Sequence, residues 1–94
     1  MAILRAPSLE RAIEIINASP YGNSAIIYTQ SGGAARELAY RADCGQIGVN
    51  VGLAAPMAFF PFGGRKDSFF GILHCQGQDA VDFFTDKKIV IQRW

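Results

Sequence analysis

The residues best suited to covalent or metal chemistry are the single histidine, His74, and the cysteine that follows it, Cys75. An imidazole beside a thiolate is the combination that cysteine nucleophiles use, and both groups ligate zinc. Side chains of adjacent residues diverge in helices and in strands, so these two cannot easily form such a pair or complete a tetrahedral site. The spacing therefore favours a structural role for both residues.

The second cysteine, Cys44, lies between a predicted helix end and a predicted strand. A helix C-terminus raises the pKa of a thiol, and no general base is near this residue in the sequence. We therefore expect Cys44 to pack as a small apolar residue rather than to act as a nucleophile. Two cysteines are too few for a disulfide scaffold, and we expect both thiols to be reduced.

A glycine-rich stretch, Phe62-Gly63-Gly64-Arg65-Lys66-Asp67-Ser68, invites comparison with phosphate-binding loops. Its spacing does not fit G-x-x-x-x-G-K-[ST], and no helix clearly follows it. Two interpretations stay open. One is a tight turn that carries two solvated cations, and the other is a structural turn that also shapes a substrate channel.

Charge and hydropathy exclude several classes of function. The net charge is +1 and the longest basic runs are the pairs Arg65-Lys66 and Lys87-Lys88, which argues against nucleic-acid binding. The most apolar stretch, 53–62, contains two prolines and is too short to cross a bilayer. The first seven residues lack the features of a signal peptide, so no secretion is predicted. Because half of the residues are hydrophobic, so short a chain is expected to present apolar surface to a partner.

The elements that must position these groups begin with an amphipathic helix. Ser8 is a suitable N-cap, apolar residues recur after it at helical spacing, and Pro20 ends the helix at Ser19. A turn is predicted at 21–23. The β-branched stretch 25–29 then predicts a strand that is covered on both faces.

A second helix and a second strand complete a predicted β-α-β unit. Ser31 is suited to cap the helix, and Gly45 is expected to end it in the left-handed conformation. The inward stripe of this helix is made of Ala35, Leu38, Ala39 and Ala42. The stretch 46–51 predicts a parallel strand reached by a right-handed crossover. Parallel strands lie in sheets covered on both faces, so the unit is expected to need neighbouring strands from elsewhere.

The rest of the chain predicts an aromatic loop, a helix and a terminal strand. Between residues 52 and 71 no period is visible, and a loop of that length is more often functional than filler. Five of the seven phenylalanines lie in it, namely Phe59, Phe60, Phe62, Phe69 and Phe70. A helix is predicted at 76–84 with Ala80, Val81 and Phe84 inward. Residues 89–94 predict a strand whose apolar edge must be paired.

Three ordered stretches resemble the carboxyl-terminal end of aldehyde dehydrogenases. They are Ser8 to Asn17 with Tyr21-Gly22, then Gly45-Gln46-Ile47-Gly48-Val49-Asn50, then Pro61-Phe62-Gly63-Gly64-Arg65-Lys66-Asp67-Ser68. Most members have a glycine after the last serine. This chain has Ser68-Phe69-Phe70-Gly71, then Leu73-His74 and a final Arg93-Trp94, a variation similar to the methylmalonate-semialdehyde dehydrogenase branch.

The resemblance implies an α/β fold in which residues 1–84 form the incomplete C-terminal part of a catalytic domain and residues 85–94 form an oligomerisation strand. It implies that Phe62 lines the pocket around the aldehyde, with Phe59 and Phe69 as neighbours. It implies subunit contacts at Ile89, Ile91 and Trp94. Members of this branch oxidise malonate or methylmalonate semialdehyde with NAD, and coenzyme A accepts the acyl group from a cysteine thioester.

The same resemblance implies that the nucleophile and the NAD-binding domain precede Met1. No catalytic residue and no metal ligand is therefore assigned, and the chain alone is expected to bind neither NAD nor coenzyme A and to be inactive. Its expected partner is itself or the remainder of the parent enzyme, in the cytoplasm or, in a eukaryote, the mitochondrial matrix. The alternatives are a non-enzymatic, self-associating module or pseudo-enzyme of the same family, and a small-ligand binder that uses the aromatic loop.

Overall fold

The computed structural model describes residues 2–94, which form a mixed α/β arrangement of three helices and two small sheets. The helices are α1 (Leu9–Ala18), α2 (Gly32–Arg41) and α3 (Gln78–Phe84). The strands are β1 (Tyr21–Gly22), β2 (Ser24–Ile27), β3 (Gln46–Val49) and β4 (Arg65–Lys66). Strands β2 and β3 pair in parallel, whereas β1 and β4 pair antiparallel. The predicted α/β class and its β-α-β unit are confirmed.

Both long helices start where the sequence predicts. The Ser8 hydroxyl accepts a hydrogen bond from the backbone N–H of Arg11 at 3.2 Å, and the Ser31 hydroxyl accepts one from Ala34 at 3.2 Å. Each cap satisfies one of the amide groups that a helix N-terminus leaves without a partner. Helix α1 ends at Ala18, and its C-cap Ser19 is extended, as is favoured for a residue before proline.

The hydrophobic core lies between these two helices and the parallel strand pair. Ile13 of α1 is 1% exposed and packs with Leu38 and Ala42. Partly buried residues surround this cluster, namely Leu9, Ile16, Ile27 and Ile47. In the inward stripe predicted for α2, Leu38 is buried and Ala35 is half-buried, but Ala39 is exposed.

Two predictions about short segments were wrong. The predicted turn at 21–23 contains strand β1, in which Tyr21 pairs with Lys66 and Gly22 pairs with Arg65. Gly45 does not end α2 in the left-handed conformation, because the helix already ends at Arg41 with an extended Ala42 as its cap. Strand β1 depends on pairing with β4, and Gly45 lies against Gly64. These partners are more than 15 positions away along the chain, so local sequence patterns do not predict them.

The C-terminal quarter is more open than predicted. Helix α3 forms, but Val81 is 53% exposed and Phe84 is 75% exposed, so only Ala80 of the predicted inward face is even half-buried. Residues 89–94 form no strand in the described chain, since no partner strand lies beside them. Strands β2 and β3 are likewise half-buried rather than covered on both faces.

The shape of the molecule is extended. Its radius of gyration is 17.7 Å and its principal extents are 68 × 27 × 22 Å, whereas a compact domain of this length has a radius of gyration of about 12 Å. The exposed area is 7726 Å², against about 5300 Å² for a compact monomer of the same mass. None of the helices in residues 2–94 has the length and apolarity needed to cross a membrane.

Candidate functional site

The aromatic loop brings two of the three predicted pocket residues together. The rings of Phe62 and Phe69 lie 6.0 Å apart between centroids and are tilted by 53°. Phe69 also packs on the His74 ring, at 4.1 Å and in an edge-on arrangement. Both phenylalanines are half-buried, so they form a stable apolar wall at the two ends of the segment Gly63–Ser68.

Phe59 lies in a separate aromatic pair. Its ring is 4.7 Å from that of Phe60, and 68% of its surface is exposed. The backbone beside it is held by the start of α3, because the Gly77 N–H donates to the carbonyl of Ala58 at 3.1 Å. The loop thus presents two aromatic pairs, Phe62 with Phe69 and Phe59 with Phe60.

The paired glycines make room for protein groups. A Cβ atom on Gly64 would overlap the ring of Phe69, and a Cβ atom on Gly45 would lie 2.6 Å from the carbonyl carbon of Gly63. The Gly63 carbonyl accepts a hydrogen bond from Nε2 of Gln46 at 2.9 Å. Backbone and ring therefore fill the space that an anion would take in a phosphate-binding loop.

Lys66 is tied into the fold and is not a solvated cation. Only 18% of its side chain is exposed. Its ammonium donates hydrogen bonds to the carbonyls of Asn17 at 3.0 Å and Ser19 at 3.1 Å, and it lies 3.7 Å from Oδ2 of Asp43. The other oxygen of Asp43 accepts from Nη1 of Arg65 at 3.1 Å. The interpretation of this turn as two solvated cations is therefore wrong for Lys66, whereas the side chain of Arg65 is 60% exposed.

These five residues, Asn17, Ser19, Asp43, Arg65 and Lys66, form what we call the polar clamp. The Asn17 side chain completes it, because Oδ1 accepts from the backbone N–H of Asp43 at 2.8 Å and Nδ2 donates to the carbonyl of Arg41 at 2.9 Å. The clamp joins the end of α1, the end of α2 and strand β4. Sequence reasoning missed Asn17 and Asp43 because their partners are 22 to 49 residues away.

Further hydrogen bonds hold Asp67 and Ser68, which follow Lys66 in the chain. The Asp67 N–H donates to the carbonyl of Pro20 at 3.0 Å. The Ser68 hydroxyl accepts from the N–H of Gly22 at 3.0 Å. The segment that carries Phe62 and Phe69 is therefore attached to strand β1 along its second half.

An apolar hollow of about 380 Å³ opens beside Phe69. Its walls are Ser68, Phe69, Phe70, Leu73, His74, Cys75, Phe83 and Phe84. Phe69 is shared between this hollow and the aromatic wall, whereas Phe59 and Phe62 do not line it. The hollow is open to solvent on the side where Phe70 and Phe84 are exposed.

Of the two cysteines, Cys44 packs in a buried position as the sequence predicts. Both are free thiols, Cys44 buried and Cys75 exposed. Burial raises the pKa of the Cys44 thiol, and the nearby charge of Lys66 offsets this only in part. His74 packs on Phe69, as a structural residue does. Residues 2–94 hold no cluster of three side chains able to bind a metal ion.

The predicted interface residues lie at the solvent-exposed end of the chain. Ile89 is 86% exposed, Ile91 is 92% exposed and Trp94 is fully exposed. These large apolar side chains have no covering surface within the described residues.

Comparisons with known proteins bear on the whole chain. The profile of the aldehyde dehydrogenase family matches residues 1–90. Over all 94 residues the chain is 50% identical to malonate-semialdehyde dehydrogenase 2 of Geobacillus kaustophilus and 52% identical to malonate-semialdehyde dehydrogenase 2 of Bacillus thuringiensis strain Al Hakam. In both cases it covers 19% of the relative.

Solved structures agree with the sequence relatives. Methylmalonate-semialdehyde dehydrogenase of Oceanimonas doudoroffii is 44% identical and superposes with a TM-score of 0.89 over 93% of this chain and 18% of that one. A protein of Sinorhizobium meliloti 1021 assigned as a methylmalonate-semialdehyde dehydrogenase, crystallised with NAD, is 42% identical with a TM-score of 0.92, over 97% of this chain and 18% of that one. The chain thus spans about a fifth of the length of its relatives, and it belongs to the aldehyde dehydrogenase family.

Proposed function

We propose that this chain is the C-terminal part of an NAD-dependent, coenzyme A-acylating dehydrogenase of malonate or methylmalonate semialdehyde, and that it is inactive alone. Residues 1–84 would complete the catalytic domain and 85–94 would pair with another subunit. In this proposal Phe62, Phe59 and Phe69 shape the substrate channel, and Ile89, Ile91 and Trp94 form the subunit interface. The names of the relatives support the substrate class.

The observation that carries the proposal is the excess of exposed surface. The chain exposes about 2400 Å² more than a compact monomer of its mass does. That area is within the range of obligate protein interfaces, which are large and apolar. The exposed part includes both the unpaired terminal segment and the open edges of the parallel strands, so it fits a piece that docks onto more protein.

The turn at Gly63-Gly64 does not fit a nucleotide phosphate. This turn is filled by the Phe69 ring and by the backbone of Gly45, and its basic residues already pair with Asp43. When bound elsewhere in the parent enzyme, NAD would accept hydride from the substrate. The contribution of this chain is then to shape the channel and to exclude water with apolar rings.

The thioester nucleophile would also come from another part of the parent enzyme. Cys44 is buried, and its raised pKa keeps it as a protonated thiol at neutral pH. Cys75 is exposed but has only the diverging side chain of His74 beside it, and that ring packs on Phe69. Neither thiol has a general base placed to activate it.

A complementation assay tests the proposal. Malonate-semialdehyde dehydrogenase 2 of Geobacillus kaustophilus, shortened by the stretch that this chain matches, would supply the missing part. We expect the mixture of the two pieces to reduce NAD with malonate semialdehyde and coenzyme A. We expect no NAD reduction by either piece alone. Turnover by this chain alone, or an inactive mixture, would overturn the proposal.

Two variants make the assay specific for the channel. Phe62→Ala removes one ring of the aromatic wall and should weaken turnover by the assembled enzyme. Tyr40→Ala removes a ring that is 91% exposed on α2 and should leave turnover unchanged. Equal losses in both variants would argue against a channel role for Phe62.

The second candidate function is a self-associating module without activity, and the same exposed surface supports it. Light scattering after size exclusion separates the two. A stable assembly of this chain that does not bind the shortened relative favours the self-associating module. An assembly that exchanges subunits with the shortened relative favours the enzyme piece.

A further inference from the structure

Lys66 adopts a backbone conformation that costs free energy. Its φ is +54°, in the left-handed region that disfavours side chains with a Cβ atom, where glycine would be relaxed. Its side chain is nevertheless almost covered, and its ammonium has three partners, the carbonyls of Asn17 and Ser19 and the carboxylate of Asp43. A strained position that is occupied by a fully engaged side chain points to a role for that side chain.

The ammonium of Lys66 also serves the end of helix α1. The last turn of a helix leaves carbonyl groups without partners and carries partial negative charge, which a cation stabilises. Helix α1 has no basic residue in its own last turn. Lys66 supplies this charge from 47 to 49 residues away along the chain, and in doing so it holds strand β4 against the end of the helix.

We infer that Lys66, held by Asp43, is a positioning residue that fixes the spacing of Phe62 and Phe69 and so sets the shape of the aldehyde pocket. This inference rests on the proposed function. The clamped segment is Gly63–Ser68, which carries Lys66; Phe62 immediately precedes it and Phe69 immediately follows it, so both rings move if the segment does. The ion pair of Lys66 is the most covered electrostatic contact of that segment.

Arg65 provides a matched control. It pairs with the same carboxylate as Lys66, but 60% of its side chain is exposed and its partners include no helix carbonyl. An exposed ion pair contributes little to stability, whereas a covered ammonium with three partners contributes more. Lys66→Met and Arg65→Met each remove one positive charge beside Asp43, so a general charge effect would appear in both.

The first test uses amide hydrogen exchange on the full chain. In Lys66→Met two N–H groups should exchange at least about tenfold faster, that of Asp67, which donates to the Pro20 carbonyl, and that of Gly22, which donates to the Ser68 hydroxyl. In Arg65→Met they should change less than about twofold. The N–H of Asn50, which donates to the carbonyl of Ile27, reports the β2–β3 pairing. Its exchange rate should stay the same in both variants, which would show that the fold persists. Unchanged protection of Asp67 in Lys66→Met overturns the inference.

Lys66→Gly separates the ammonium from the backbone. Glycine relieves the left-handed strain but has no ammonium, so the exchange of Asp67 should rise as it does in Lys66→Met. If Lys66→Gly instead keeps the wild-type protection, backbone shape alone places the segment and the inference is overturned.

The second test measures kinetics in the complemented enzyme. Lys66→Met should raise the KM for malonate semialdehyde several-fold with a smaller change in kcat, because the rings that receive the aldehyde are displaced while the reacting groups are elsewhere. An unchanged KM with faster exchange overturns the positioning role. An inactive wild-type mixture overturns the proposed function, and the clamp is then judged by the exchange rates alone.

Discussion

Gly45 and Gly64 are in contact through their backbones: a Cβ atom on Gly45 would lie 2.5 Å from the backbone nitrogen of Gly64. This contact brings the glycine-rich turn against the start of strand β3. The N–H of Gly45 donates to the carbonyl of Gly22 at 2.9 Å, so Gly45 joins strand β1 to the same turn. A side chain at Gly45 would force the turn away from the β-α-β unit.

Gly45→Ala should therefore destabilise the chain by about 1–3 kcal/mol, the usual cost of overpacking a filled site. The midpoint of thermal unfolding, followed by circular dichroism, measures the effect. Gly52→Ala is the control, because nothing lies within 4 Å of a Cβ atom there and its φ is not positive. It should be neutral or slightly stabilising. A neutral Gly45→Ala would contradict the backbone contact.

Asn50 gives a second prediction at the end of β3. Its φ is +54°, and its side chain accepts from the N–H of Thr29 at 2.8 Å and donates to the carbonyl of Thr29 at 2.9 Å. Asn50→Gly loses both hydrogen bonds but relaxes the backbone, so it should lower the free energy of unfolding by about 1 kcal/mol. Asn50→Ala loses the bonds and keeps the strain, so it should cost about 1 kcal/mol more. Chemical denaturation ranks the variants, and equal stability of the two would contradict this account.

The two thiols should differ in reactivity. Burial raises the pKa of Cys44 and covers its sulfur, so little thiolate is present at neutral pH, whereas Cys75 is exposed. We expect iodoacetamide to modify Cys75 at least about tenfold faster than Cys44 in the folded chain. Mass spectrometry of digested samples assigns each site. In denaturant the two rates should converge, and faster modification of Cys44 in the folded chain would overturn its buried placement.

Local signals in the sequence predicted a large part of this fold. Ser8 and Ser31 mark helix starts because a cap depends on residues only three positions away. The parallel pairing of β2 and β3 follows from the strand, helix and strand order. The family resemblance gave Phe59 and Phe69 as neighbours of Phe62; Phe69 does pack on Phe62, whereas Phe59 packs on Phe60.

The rest of the site depended on partners far apart in the sequence. Gly45 was expected to end a helix, but it is required by Gly64, a contact that no window around residue 45 contains. The clamp joins Lys66 to Asn17 across 49 positions. Residues 89–94 have strand composition but no neighbouring strand within the described chain, and a strand does not form without one.

Helix α1 should weaken in acid. Hydrogen bonds from its own backbone N–H and from Ser8 hold the pKa of the Glu10 carboxyl below its ordinary value. The carboxylate therefore stabilises the folded state at neutral pH, and this contribution is lost as pH falls below about 4.3, the ordinary pKa of glutamate. Circular dichroism of wild type should show this loss, and Glu10→Gln should reduce it. Asp86→Asn, outside the helices, is the control. An identical pH profile in Glu10→Gln would contradict the assignment.

The terminal segment should control association. In an extended segment Ile89 and Ile91 lie on the same side, and both are almost fully exposed. Burying one isoleucine stabilises an interface by about 1.5–3 kcal/mol, so Ile91→Lys should weaken self-association, or binding to the shortened relative, by at least about tenfold. Ile3→Lys is the matched control, since Ile3 is 81% exposed near the other end of the chain. Sedimentation measures both. If Ile91→Lys and Ile3→Lys weaken association equally, general apolar stickiness rather than pairing of residues 85–94 holds the assembly together.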